Sequence, residues 1–310
     1  MRLTWKKLAV LAMASLAVVS AAGCSEGKQA KEHMLQALRK QAEIRSYSFE
    51  GRAELQLSET LRASEMTGDP LTGLLVQSLT ASQLRWSGTA QVEPLRLESK
   101  LSVAPASGIG QLDVPILIKD TKMYMQIPLL NPKNEYVSMD LGGKSANLSQ
   151  SSRLLADQTA ALLEAIDSKW FASTTSSGDR PAIYTIDIKA DNAGPISAQL
   201  KLQLPEWIDR LASAGLVGQP QAKALKASIA DQTLKIQPPR LIRLVAGADG
   251  YVSELQTDIS YTLEANGTTT PLQRLALSNQ WSRINETPAF NQDIPATAKP
   301  LEELLKPVSK

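Results

Sequence analysis

From Tyr47 to Ser58 the chain alternates without a break. Tyr47, Phe49, Gly51, Ala53, Leu55 and Leu57 hold the odd places, and Ser48, Glu50, Arg52, Glu54, Gln56 and Ser58 the even ones. A period of two sends successive side chains to opposite faces, so this stretch predicts a long strand with one apolar face. The alternation returns from Leu84 to Val92 and from Leu95 to Val103, with Glu93-Pro94 between them, where a proline ends pairing and permits a turn. Shorter strands are predicted at Leu112–Ile118, Lys122–Ile127, Glu135–Asp140, Ile183–Lys189 and Ile196–Leu204. The last third adds Leu241–Val245, Tyr251–Leu263 and Leu272–Trp281. Asp120-Thr121, Asn192-Ala193-Gly194-Pro195, Ala248-Asp249-Gly250 and Asn266-Gly267 are the turns.

Elsewhere the period lengthens. Met34, Leu35, Leu38 and Ala42 fall on one side of a helix over Lys31–Ile44. Leu155, Thr159, Leu162, Ile166 and Trp170 form a stripe on a second helix over Leu148–Trp170. Pro205–Leu216, with its proline in the first turn, and Gln221–Ala230 complete the helical set. Residues 60–82 break the rhythm with Gly68-Asp69-Pro70 and a leucine-rich run, and read as an insertion or flap over one end of the sheet. The sum is an α+β fold, a large curved antiparallel sheet of about ten strands around three or four helices.

The first 23 residues stand outside that fold. Arg2, Lys6 and Lys7 precede an apolar run from Leu8 to Ala22, and small residues lead to Cys24, the only cysteine of the 310 residues. This is the layout of a secretory signal peptide, and its apolar run is short for a membrane-spanning helix. Ser20-Ala21-Ala22-Gly23-Cys24 resembles the cleavage box of bacterial lipoproteins. That resemblance implies a diacylglyceryl group on the Cys24 thiol, a tether over 24–30, and a place at the outer face of the bacterial cell membrane. Removing Arg2, Lys6 and Lys7 from the 33 basic residues leaves 30 against 31 acidic, a net charge of −1. The basic surplus is therefore a targeting feature, and the near-neutral charge argues against a dedicated nucleic-acid binder.

A wider resemblance follows from the order of elements. A helix leading into RSYSFEGRAELQLSE, the segment IKDTKMYMQIPLLNPKNEYVSMDLGG, the late hairpin RLIRLVAGADGYVSELQTDISYTLEANG and the closing NQWSRINETPAF are together similar to bacterial lipoproteins related to Lol-type and other lipid carriers. The similarity spans roughly residues 31–290, followed by a Pro- and Thr-rich tail over 291–310. It implies an open half-barrel that curls around helices and holds acyl chains between them.

Catalytic chemistry finds little support. His33, the only histidine, lies on the first helix and reads as a solvated surface residue. No Gly-x-Ser-x-Gly elbow and no phosphate-cradling glycine loop occur, and Asp187, Asp191 and Asn192 fail the calcium-loop spacing. The chain is therefore expected to have no enzymatic activity, metal or cofactor. The candidate site is apolar. Leu55, Leu97, Leu101, Ile186 and Ile188 would line a cavity for a hydrophobic ligand, with Trp86 and Trp207 at its rim, where an amphipathic indole suits. The same residues equally suit a filled core. In that case the protein would be an envelope interaction, structural or sensory module without a ligand cavity.

Overall fold

The computed structural model describes residues 26–56, 82–105, 110–127, 135–142, 144–174, 181–213 and 218–304. The signal segment, Cys24 and residues 60–81 of the insertion lie outside the described residues. Among the described residues fourteen strands form one sheet: β1 Ser46–Gln56, β2 Ser82–Gln91, β3 Arg96–Pro105, β4 Leu112–Lys119, β5 Lys122–Met125, β6 Val137–Asp140, β7 Phe171–Thr174, β8 Ala182–Ile188, β9 Thr233–Ile236, β10 Arg240–Ala246, β11 Val252–Ala265, β12 Thr268–Thr269, β13 Gln273–Ser282 and β14 Lys299–Pro300. The helices are α1 over 26–40, α2 Lys144–Glu164, α3 Ala193–Ser213, α4 Gln219–Ala230 and α5 Leu301–Leu304.

The spatial order is β14-β6-β5-β4-β3-β2-β1-β13-β11-β10-β8-β7, with β12 and β9 also on β11. The sheet is open, because β14 and β7 are its two ends. Every pairing is antiparallel except β14 on β6, which is parallel. That pairing returns the chain's end to the far edge. On the way, the segment after β13 crosses the strands: Asn291 and Gln292 donate backbone N–H groups to the Glu98 carboxylate at 2.7 and 3.1 Å, and Arg96 stacks on the Phe290 ring.

The α+β class and the curved sheet with helices stand as the sequence predicts. Several elements differ from that reading. Residues 26–30, the described part of the expected 24–30 tether, are helical and belong to α1; Gly27 and Ala30 are buried, and Gly27 lies where a Cβ would meet the Ser168 carbonyl oxygen at 2.5 Å. Residues 196–204 are helical, not a strand, and Pro205 sits inside α3 instead of starting a helix. The alternation Ile196, Ala198, Leu200, Leu202 satisfies a period of two. The buried positions Ala193, Ile196 and Ser197 obey the helical one, and Leu202, out of phase with them, is 78% exposed. β7, β9, β12 and β14 have no counterpart in the sequence pattern.

The core sits over one half of the sheet. Met34, Leu35, Ala37 and Leu38 of α1, with Ala160 and Leu163 of α2, pack on Ile186 and Ile188 of β8, Ile242 and Leu244 of β10, and Val252 of β11. Polar contacts hold the helices there. The Lys31 ammonium donates to the carbonyls of Glu164 and Ile166, both at 2.6 Å, where the end of α2 needs a cation. The Gln41 side chain pairs with both backbone groups of Val252, at 3.1 and 3.2 Å.

Candidate functional site

Residues directly opposite each other in adjacent strands share a face, so the registers locate one apolar face across the whole sheet. On β1 it carries Phe49, Gly51, Ala53 and Leu55. Their partners on β2 are Gly88, Trp86 and Leu84, and on β13 Trp281, Asn279, Leu277 and Leu275. It continues through Leu97 and Leu101 of β3 to Ile118 and Val114 of β4, then to Met123 of β5. In the other direction it runs through Leu255 and Ile259 of β11 to Leu244 of β10 and Tyr184 of β8.

The two halves of this face differ. Beneath α1 and α2 it is sealed: Ile186, Ile188 and Leu244 are all 0% exposed. On β1–β5 and β13, Leu55, Leu84, Leu97, Leu101, Val114, Met123 and Leu275 are only half-buried. Apolar residues in that state keep part of their surface in water, and each leaves part of its ~1.5–3 kcal/mol of burial free energy unrealised.

Trp86 marks this half. Its indole lies over Gly51, where a Cβ would meet Nε1 at 2.5 Å, and its N–H donates to Asn279 Oδ1 at 3.1 Å. Phe49 lies in the same way over Gly88, whose Cβ would meet the Phe49 ring at 2.8 Å. Each strand thus supplies one glycine and one aromatic that covers the other's glycine, a device that retains packing where a strand lacks a side chain. Tyr47 packs on Phe49 with ring centroids 5.7 Å apart, and burial pushes its hydroxyl pKa upward.

The structure therefore divides the seven residues that the sequence singles out. Leu55, Trp86, Leu97 and Leu101 come together on the half-buried face. Ile186 and Ile188 are on the same face but belong to the packed core under the helices. Trp207 is apart from both; it packs between α3 and α4 with Ile208, Ala212 and Ala222. Sequence reasoning missed Leu84, Val114, Met123 and Leu275, which only the strand register assigns to this face. It also missed an apolar groove of about 840 Å³ between α3 and β9, lined by Leu202, Pro205, Ile229 and Leu234.

The opposite face is mostly polar, with Leu117 and Val245 buried on it. Two confluent hollows of about 480 and 620 Å³ lie on it, with Glu50, Ser87 and Gln280 common to both. Beside the first, Asp113 accepts from Lys100, Ser102 and Gln111, and these bonds lower its carboxyl pKa to about 2. Among the described residues no group of three or more His, Cys, Asp or Glu side chains stands close enough to hold a metal ion. No described helix is long and apolar enough to cross a membrane. The aligned chemistry is thus shape-tolerant contact on one face and hydrogen bonding on the other.

No family model and no curated protein matches the chain. Among solved structures, the crystal structure of LprF from Mycobacterium bovis is similar at a TM-score of 0.36, with 10% sequence identity, over 87% of this chain and 98% of that one. The functional reading therefore rests on the residues of the two faces themselves.

Proposed function

We propose that this chain is a lipid-anchored envelope protein that holds the apolar part of an amphiphile, non-covalently, on the half-buried face of β1–β5 and β13. One observation carries the reading: a single apolar face spans the sheet, yet the described helices seal only its β8–β10–β11 half. Leucine, valine and methionine side chains suit acyl chains because they impose no directional chemistry, and methionine adapts to irregular shapes. Trp86, anchored through Asn279, presents an amphipathic ring at this face. The segment around Cys24 supplies the reason for an envelope location, since a diacylglyceryl group there with cleavage before it would tether the domain to a membrane surface.

The test uses phospholipids with brominated acyl chains, which quench nearby indoles on contact. Titrated against the full chain in detergent, they should quench tryptophan emission saturably, and Trp86→Phe combined with Trp281→Phe, the other indole of this face, should remove most of the saturable fraction while Trp86→Phe alone reduces it. Quenching that is linear in lipid, or unchanged in Trp86→Phe, would refute a ligand at this face. A second reading, docking of another envelope protein, draws on the α3–β9 groove with its exposed Leu202.

A further inference from the structure

We infer a binding site for a phosphate group on the polar face, built on Arg52 and Arg85. The observation is a cross-strand pair of like charges. Arg52 of β1 lies directly opposite Arg85 of β2, and Arg52 is in turn opposite Ser278 of β13, while Arg85 is opposite Ser102 of β3. Directly opposite side chains on one face have Cβ atoms about 4.5–5.5 Å apart, and like charges there repel. A sheet normally avoids that arrangement or neutralises it.

Among the described residues it is not neutralised: neither guanidinium has a hydrogen-bond or ion-pair partner there. The neighbouring carboxylates are mostly committed elsewhere. Asp113 holds Lys100 at 2.7 Å, Glu254 holds Arg243 at 2.9 Å, and Glu54 faces Arg274 at 3.7 Å. Glu50, one pleat along β1 from Arg52, is the single carboxylate in the lining of the hollow that both arginines share. It offsets one of the two charges and leaves a local positive excess.

The hollow has the remaining requirements of an oxyanion site. Its volume is about 480 Å³, and its walls include the hydroxyls of Ser87, Ser102 and Ser278 and the amides of Gln256 and Gln280. Two guanidinium forks suit a tetrahedral anion, which offers each a pair of oxygens; a carboxylate has only two oxygens and satisfies one fork. Ser102 and Gln256 already donate to Asp113 and Glu254, so the hydroxyls of Ser87 and Ser278 and the amide of Gln280 are the neutral donors for the oxygens that the forks leave. The site lies on the face opposite the apolar one, so it stands whether or not an acyl chain binds there. The phosphate could be a free phosphate, a soluble phosphodiester or a lipid headgroup.

The arginine pair also gives the test a stability signature, because a repulsive pair costs the folded state until an anion is bound. In phosphate-free buffer of low ionic strength, Arg52→Gln should unfold at a higher temperature than the parent chain. Added inorganic phosphate should raise the unfolding temperature of the parent but leave Arg52→Gln and Arg85→Gln unmoved, and acetate at equal ionic strength should do neither. Calorimetry with inorganic phosphate on the full chain in neutral detergent should show at least tenfold weaker binding for each variant. Glycerol phosphate and phosphatidylglycerol vesicles, set against phosphatidylcholine vesicles, then separate a soluble source from a headgroup. Equal phosphate response in parent and variants, or an acetate response as large as that to phosphate, would overturn the proposal.

Discussion

Adding one methyl group at Gly88 and at Gly51 should have unequal effects, although the two glycines occupy matching places on adjacent strands. At Gly88 the new Cβ would meet the backbone of β3, with Ser99 Cα at 2.9 Å and the Glu98 carbonyl oxygen closer still, besides the Phe49 ring at 2.8 Å. Ordinary contacts lie about half an ångström or more further out, and the β2–β3 ladder holds that backbone in place. Forced overpacking of this sort costs about 1–3 kcal/mol, of which alanine's smaller unfolded-state entropy returns about 0.5–1. At Gly51 the atoms in the way are side chains, Trp86 Nε1 at 2.5 Å and Asn279 Oδ1 at 2.6 Å, and both can rotate aside. The loss is then one hydrogen bond, about 1 kcal/mol, and the same entropy gain offsets most of it. Backbone atoms that cannot rotate aside place Gly88 at the upper end of that range, ~3 kcal/mol, so Gly88→Ala should be less stable than Gly51→Ala by about 2 kcal/mol in equilibrium urea unfolding. Gly51→Ala alone should shift the tryptophan emission, since it lifts the indole from its seat. A double-mutant cycle sharpens the test. Trp86→Leu should relieve Gly51→Ala, while Phe49→Leu should not relieve Gly88→Ala, because the β3 backbone remains in the way. Equal destabilisation, or rescue of Gly88→Ala by Phe49→Leu, would refute the reasoning.

Three further outcomes are expected. Ile186→Ala, in the sealed half, should lose about 2–5 kcal/mol in urea unfolding, and Leu97→Ala, half-buried, about half as much. Gln41→Ala strips both buried backbone groups of Val252 of their partners and should cost about 2–3 kcal/mol, with α1 losing hydrogen-exchange protection first. The Asp113 carboxyl titrates lower in the folded chain, near 2, than its ordinary 3.8, so its contribution is complete above pH 4 and lost as pH falls towards 2. Asp113→Asn should flatten the stability profile within that window and leave the region above pH 5 unchanged in slope.

Much of the sheet was legible because most strands have one apolar face. The alternations at 47–58, 84–92 and 95–103 reappear as β1, β2 and β3 within three residues at either end. α3 misled because Ile196 to Leu204 fits both periods, and only packing against β9, where Ser197 Oγ accepts from the Ile236 N–H at 2.9 Å, selects the helix. β9 and β14 are short and exist through distant partners, β11 and β6, which no local pattern announces. The candidate site was half legible for the same reason. Composition marks Leu55, Trp86, Leu97 and Leu101 as apolar strand residues, but register joins them to Leu84 and Leu275 and separates them from Trp207. Helix coverage, not sequence, then distinguishes Ile186 from Leu97. The Arg52–Arg85 pair was invisible, since each arginine is an ordinary polar-face residue until the strands are aligned.

The most direct measurement of the central claim is native mass spectrometry of the chain extracted gently from bacterial membranes. The account predicts a stoichiometric non-covalent adduct that organic solvent removes, and that Leu97→Gln combined with Leu101→Gln diminishes while the protein stays folded. A bare protein mass that persists after incubation with the same membrane lipids would contradict it.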